Sequence, residues 1–270
     1  MSALKGLSTR IRENIEDVTC FGPQFLTRHL PRLTRANDAV VHIKGFGKIH
    51  LRPGESDVTV VRQIFAKREY DVNRMLGGTH VGAILNARYR SILDTGHTPT
   101  IVDAGANIGA ATLWFRTMYP DAAIVAVEPE PHNISMLKKN LGGMDNVAIL
   151  PAAIGSHPGF VEVSRDTYGW GAKTKRSESG AVPTITMSDA FSHIRHGTPF
   201  IAKIDIEGFE SEVFSDNLGW LDDIHMLLIE PHDWLFPGQR TSRSLQTAIA
   251  SRDFEIFISG ENLVYVRAER

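Results

Sequence analysis

With 270 residues, 42% of them hydrophobic and 22% charged, the chain has the balance of an ordinary globular domain. A formal net charge of −2 leaves no broad basic footprint of the kind nucleic-acid binding requires. The single cysteine, Cys20, excludes an internal disulfide, and no apolar run reaches the roughly 18 residues of a membrane-spanning helix. The first 33 residues also lack an apolar signal core, so a cytoplasmic location is expected.

Residues 1–36, broken by Gly6, Gly22, Pro23 and Pro31, read as one or two short helices. Residues 40–43 and 48–51 read as strands of a hairpin turning through Gly45 and Gly47. A helix is predicted over 57–70, with Val58, Val61, Ile64 and Phe65 on one face and Asp57 at the N-cap. A second helix is predicted over 85–93, followed by a linker at 94–99. The domain boundary falls in that linker. Residues 1–98 are expected to form an N-terminal extension that helps build the substrate pocket, and residues 99–270 the main domain.

From Thr100 the pattern alternates. Strands are expected at 100–104, 123–128, 146–150, 200–205, 224–230, 253–259 and 262–267, with helices at 109–118, 131–142, 187–194, 210–218 and 241–251. Segments such as Ile124-Val-Ala-Val127 and Met226-Leu-Leu-Ile229 are apolar throughout, as strands covered on both faces must be. The fold class is therefore α/β with a doubly wound parallel sheet. Gly260-Glu261 makes a two-residue turn between the last two strands, which places an antiparallel strand at the end of the sheet.

Ligands of open α/β sheets bind at the carboxyl ends of the strands. The residues there are Asp103, Gly105, Asn107 and Gly109 after the first strand, then Glu128 and Pro129, then Ala153, then Lys203, Asp205 and Glu207, and finally Glu230 and His232. A glycine turn between strand and helix lets a nucleotide-like ligand approach the backbone, and Glu128 is placed to accept hydrogen bonds from ribose hydroxyls. A dinucleotide fingerprint wants glycine where Asn107 stands. The Asp103 charge would repel a pyrophosphate and favour a cation, so the balance tips toward S-adenosylmethionine over NAD.

These segments resemble the FkbM-type S-adenosylmethionine-dependent methyltransferases. The likeness is carried by Asp103-Ala-Gly-Ala-Asn-Ile-Gly109, Ala126-Val-Glu-Pro-Glu-Pro131, Leu137-Lys-Lys-Asn140, Ala152-Ala-Ile-Gly155, Lys203-Ile-Asp-Ile-Glu-Gly-Phe-Glu210 and Glu230-Pro-His-Asp-Trp234. Upstream, Arg52-Pro-Gly-Glu-Ser-Asp57 resembles the family's leader segment. The resemblance implies a class I methyltransferase (Rossmann-like) sheet of seven strands with an antiparallel last strand. It also implies O-methylation of a small molecule such as a sugar, glycan or polyketide-type metabolite.

On that reading Asp205, Glu207, His232 and Lys203 are the catalytic candidates. Asp103, Gly105, Asn107, Gly109, Glu128, Pro129, Ala153 and Asp205 are the cofactor-binding ones. Glu230 and the aromatic and basic residues of the glycine-rich loop 166–175, Tyr168, Trp170 and Lys173, are expected to line the acceptor site. One histidine among three carboxylates makes a divalent ion such as Mg²⁺ an open option; Lys203 pairing with Asp205 or Glu230, and Glu210 acting only at a helix N-terminus, are the blander alternatives. Expected partners are a small-molecule acceptor and, optionally, a second copy of the chain, with neither nucleic acid nor membrane. An NAD-dependent oxidoreductase and a non-catalytic ligand-binding module are the competing functions.

Overall fold

The computed structural model describes residues 2–29, 38–75, 77–165 and 172–268, without the side chains of 2–11, 165, 172 and 173. The chain divides into two compact units, Met1–Arg68 and Glu69–Arg270. Among the described residues no helix is long and apolar enough to cross a membrane.

In the smaller unit, helix α1 (Ser2–Phe21) is followed by a 3₁₀ turn over Pro23–His29. Asp17, 2% exposed, joins them by taking Arg28 Nη2 at 2.5 Å, and it also takes Arg62 Nε at 2.7 Å. Strands β1 (Ala39–Ile43) and β2 (Gly47–Leu51) form the expected antiparallel hairpin. Helix α2 (Asp57–Val61) runs into a π-helical turn over Arg62–Ala66 and stops there, because Arg68 is left-handed (φ 57°). Asp57 is not the N-cap. It begins the helix, and its buried carboxylate accepts from the Arg52 backbone and guanidinium. Cys20 is exposed.

The larger unit contains helix α3 (Gly78–Asp94). Then come β3 (Thr98–Ala104), α4 (Ala110–Met118), β4 (Ala123–Val127), α5 (Pro131–Leu141) and β5 (Val147–Leu150). Four short strands follow, β6 (Ala153–Ile154), β7 (Gly159–Arg165), β8 (Ala172–Arg176) and β9 (Val182–Ile185), and then α6 (Met187–Ser192) and β10 (Gly197–Ile204). The chain ends with α7 (Glu210–Val213), α8 (Trp220–Asp223), β11 (Met226–Ile229), α9 (Arg243–Ala250), β12 (Phe254–Ser259) and β13 (Asn262–Arg267).

Seven strands make one sheet in the order β12-β13-β11-β10-β3-β4-β5, parallel except for β13, which runs antiparallel to both neighbours. This is the class I methyltransferase arrangement. Its central strands are almost wholly buried because helices cover both faces. Val102, Ala104, Val125, Val127, Ala202, Ile204, Leu227 and Ile229 point to one side, onto Phe191, Val213, Trp220 and Leu245 of the helices there. The alternate positions face the other side, where Phe200 packs against Tyr89 and Tyr119 with ring centroids 5.8 and 5.1 Å away.

The strands β6–β9 form a second, four-stranded sheet that the sequence reading does not contain. Its strands are short and polar, as in Lys173-Thr-Lys-Arg176, so the period-2 signal is weak and the turn residues dominate. Lys173 consequently lies in β8, opposite Ser164, rather than in a loop. Arg176 fastens this sheet to α7 by donating to Glu212 Oε1 (2.5 Å), Thr184 and the His157 carbonyl.

His225, just before β11, is a titratable weak point. Its Nδ1 is buried without a hydrogen-bond partner among the described residues. Burial first, then the charges of Arg88 and Arg267, push its pKa from 6.5 down to about 4. The folded state therefore holds it neutral while the unfolded chain protonates below 6.5, so its contribution is full above that pH and is lost as pH falls toward 4. Thermal midpoints of the wild-type chain should decline across that window, and His225→Phe should flatten the decline. Parallel wild-type and variant curves would show that His225 is not the group responsible.

Candidate active site

Strand ends and turns at the carboxyl edge of the sheet build one pocket, open to solvent on one side. Its wall includes Gly105, Asn107, Glu128, Pro129, Ala153, Asp205 and Glu207, all expected from the sequence, and also Asn133, Thr174, Ile206 and Phe209, which were not. Thr174 is contributed by β8, so the missed sheet supplies part of the site.

The turn after β3 is held by three hydrogen bonds. The Gly105 and Ala106 N–H groups donate to the Val127 carbonyl at 2.9 and 3.0 Å, and Lys203 Nζ donates to the Gly105 carbonyl at 2.8 Å. Gly105 is left-handed (φ 75°), and a Cβ there would lie 1.7 Å from the Asp205 carbonyl oxygen. Asn107 is left-handed too (φ 50°), a conformation asparagine tolerates better than most residues. Its Oδ1 is buried and has no hydrogen-bond partner among the described residues.

Glu128, 4% exposed, accepts from Asn107 N (2.8 Å), Glu130 N (3.0 Å) and Asn133 Nδ2 (3.2 Å). Burial raises its pKa, and these three donors work against the rise. A carboxylate offers about four acceptor directions, so Glu128 has room for about one further donor rather than for both hydroxyls of a ribose.

Asp103, Lys203 and Gly109, all expected at the site, do not line the pocket, and neither do His232 and Glu230. Asp103 is fully buried, opposite Lys203 in the β3–β10 register, 3.1 Å from Lys203 Nζ, and it accepts from Thr112 Oγ1 at 2.6 Å. Burial opposes the charge on Lys203, but Asp103, Tyr70 and Asp205 outweigh it and its pKa is raised. Asp103 therefore cannot act on a ligand as a free negative charge, and Lys203, 2% exposed, is a positioning residue for the turn. Gly109 permits tight packing instead of contacting the pocket: a Cβ there would press on Leu137 and Leu141 at 2.9 Å. Tyr70, stacked on Phe115, lies on the same side of the network, its phenol held neutral chiefly by burial.

On the opposite wall, β10 ends at Ile204, one residue short of its expected end, so Asp205 and Glu207 lie beyond the strand. Glu207 reaches the pocket through a left-handed turn (φ 54°) that Gly208 completes against the Phe236 ring. His232, 2% exposed, is anchored by Nδ1 to Glu210 Oε1 at 2.6 Å. Glu210 opens α7 as an acid in the first turn, and it is also the orienting partner of the imidazole. His232 Nε2 stands 3.7 Å from each of Asp205 Oδ1, Glu207 Oε2 and Glu230 Oε1.

Burial and neighbouring charges shift Glu207, Glu230 and His232. Burial and then the Asp205 charge lift Glu207 to about 7 and Glu230 to about 8. Burial opposes the charged imidazole, but the Glu210 bond and the surrounding carboxylates carry His232 to about 9. Trp234, 64% exposed, lies 6.2 Å from the His232 ring. Tyr168 and Trp170 fall outside the described residues, and the side chain of Lys173 is not described.

A family model described as the methyltransferase FkbM domain matches residues 103–255, more than half of the chain and every strand end of the pocket. The chain belongs to the FkbM methyltransferase family. Among curated relatives, methyltransferase sdnD of Sordaria araneosa is 41% identical over 69 residues, and methyltransferase 1 of Beauveria bassiana is 46% identical over 41 residues. The matched stretches span 27% and 16% of those proteins and 24% and 15% of this chain. Among solved structures, the methyltransferase FkbM of Methylobacillus flagellatus KT is 16% identical with a TM-score of 0.43, the match covering 63% of this chain and 43% of that one. A methyltransferase from Geobacter sulfurreducens is also 16% identical, with a TM-score of 0.37 and coverage of 81% and 93%.

Proposed function

We propose that this FkbM-family protein is an S-adenosylmethionine-dependent O-methyltransferase acting on a hydroxyl of a small molecule, such as a sugar, glycan or polyketide-type metabolite. The observation that carries the reading is the two-sided pocket. A nucleoside-type wall of Gly105, Asn107 and Glu128 faces a carboxylate wall of Asp205 and Glu207.

The donor set fits the cofactor. Asn107 Oδ1 is a buried acceptor in want of a donor, and Glu128 retains room for one. The negative charge that favours a sulfonium or ammonium over a pyrophosphate comes from Asp205 and Glu207, not from Asp103. When bound, S-adenosylmethionine supplies the electrophilic methyl group.

The chain's own part is to hold the acceptor in line, exclude water and receive a proton. Asp205 and Glu207 are the carboxylates on the pocket wall that can take the hydroxyl proton, and Glu210 fixes His232 beside them.

Calorimetric titration should show S-adenosylhomocysteine binding tightly and NAD not at all; tight binding of NAD alone would reverse the assignment. With an accepted hydroxyl substrate, Asp205→Asn and Glu207→Gln should each slow methyl transfer by about 10²-fold. Unchanged rates in both would remove these carboxylates from the reaction.

A further inference from the structure

His232 carries an arrangement that proton uptake does not require. The imidazole is 2% exposed, and its Nδ1 is committed to Glu210 at 2.6 Å. The other nitrogen, Nε2, points into the acidic cluster yet has no partner within hydrogen-bond distance among the described residues. Its neighbours are the Asp205, Glu207 and Glu230 oxygens, each at 3.7 Å. Asp205, Glu207 and His232 can each present one ligand atom such that all three lie within 4.8 Å of one another.

Two features separate this from a simple acidic patch. The first is the gap itself. Ligands about 2.0–2.2 Å from a shared ion stand roughly 3–4 Å from one another, which is the spacing around Nε2. The second is the Glu210–His232 pair. Metal-bound histidines commonly give their remaining ring N–H to a carboxylate, which fixes the tautomer and turns the free nitrogen toward the ion. Four carboxylates, Asp205, Glu207, Glu210 and Glu230, surround this spot, and Lys203, 3.7 Å from Asp205, is already shared with Asp103.

We infer that Asp205, Glu207 and His232 form a divalent transition-metal site, with Glu230 beside it and Glu210 orienting the histidine. One imidazole nitrogen among carboxylate oxygens suits Mn²⁺, Fe²⁺ or Zn²⁺ better than the all-oxygen preference of Mg²⁺ or Ca²⁺. Because Asp205 and Glu207 also line the pocket, an ion here would polarise a hydroxyl presented to it. That role rests on the methyl-transfer reading, whereas the binding itself does not.

The test uses the whole chain stripped of metal and titrated with Mn²⁺ alone, with no methyl donor or acceptor, so that its failure leaves the proposed reaction untouched. Loss of the free Mn²⁺ resonance should report one ion per chain, and pulsed electron paramagnetic resonance of the unaltered protein should show coupling to a histidine nitrogen. Glu210→Gln, which leaves the proposed ligands in place, should weaken binding about 10- to 100-fold, and His232→Ala at least as much, with circular dichroism confirming that both variants are folded. No saturable binding, no nitrogen coupling, or undiminished affinity in folded His232→Ala would each overturn the site.

Discussion

Replacing Lys203 by methionine is expected to destabilise the protein by about 3–5 kcal/mol, the range seen when one partner of a buried ion pair is removed. The side chain is 2% exposed and its ammonium faces Asp103, which has no exposure at all. With Lys203 gone, Asp103 keeps only Thr112 as a hydrogen-bond donor among the described residues, the Gly105 carbonyl loses its donor, and the Ala104 carbonyl keeps only the Asp205 N–H. Combining Lys203→Met with Asp103→Leu should recover much of the loss, because the uncompensated carboxylate disappears with its partner. Urea denaturation of the two single variants and the double variant gives the coupling directly. If the losses simply add, the pair is not what holds strand ends β3 and β10 together.

Gly105→Ala is expected to cost about 2–5 kcal/mol. The left-handed backbone alone penalises a residue with a Cβ by about 1–2 kcal/mol, and overpacking typically adds about 1–3 kcal/mol. At Gly105 the added methyl would meet the Asp205 backbone carbonyl at 1.7 Å, where no rotamer change relieves the contact. Gly143→Ala is the matched control: φ is 84° and nothing lies within 4 Å of its Cβ, so only the conformational cost applies. Denaturation midpoints should fall more for Gly105→Ala than for Gly143→Ala. The first variant should also lose S-adenosylhomocysteine affinity, since relief of the clash must push apart the two walls that the turn and Asp205 provide. Equal midpoints would mean that the turn and the end of β10 separate at little cost.

The parallel sheet was legible because its strands are buried on both faces and so read as unbroken apolar runs. Those at Ile124-Val-Ala-Val127 and Met226-Leu-Leu-Ile229 recur within a residue or two of their expected ends. The second sheet was not legible: β8 carries lysines, a threonine and an arginine, and its half-exposed strands rely on pairing and on Arg176 rather than on apolar periodicity. At the candidate site, strand-end position pointed to Glu128, Asp205 and Glu207, which line the pocket, but could not say which neighbouring residues turn away from it. Parity along the strand holds that information. Asp103 shares a face with Ile101 and meets Lys203 across the register, so both turn under the glycine turn rather than into the pocket. Glu210 was read only as a helix-terminal acid because its histidine partner lies 22 positions away.

The left-handed backbones of Asn107 and Glu207 carry a consequence for anyone seeking to harden this protein. Such residues cost about 1–3 kcal/mol each where the chain is not glycine, and these two lie on opposite walls of one pocket. Glycine at position 207 would relax the turn and raise the melting temperature while deleting the carboxylate that the turn exists to present. Heat tolerance and chemistry are thus opposed at the strand ends, and a screen for thermostability alone would select against the very conformations that shape the pocket. Substitutions meant to toughen the protein belong away from these two turns.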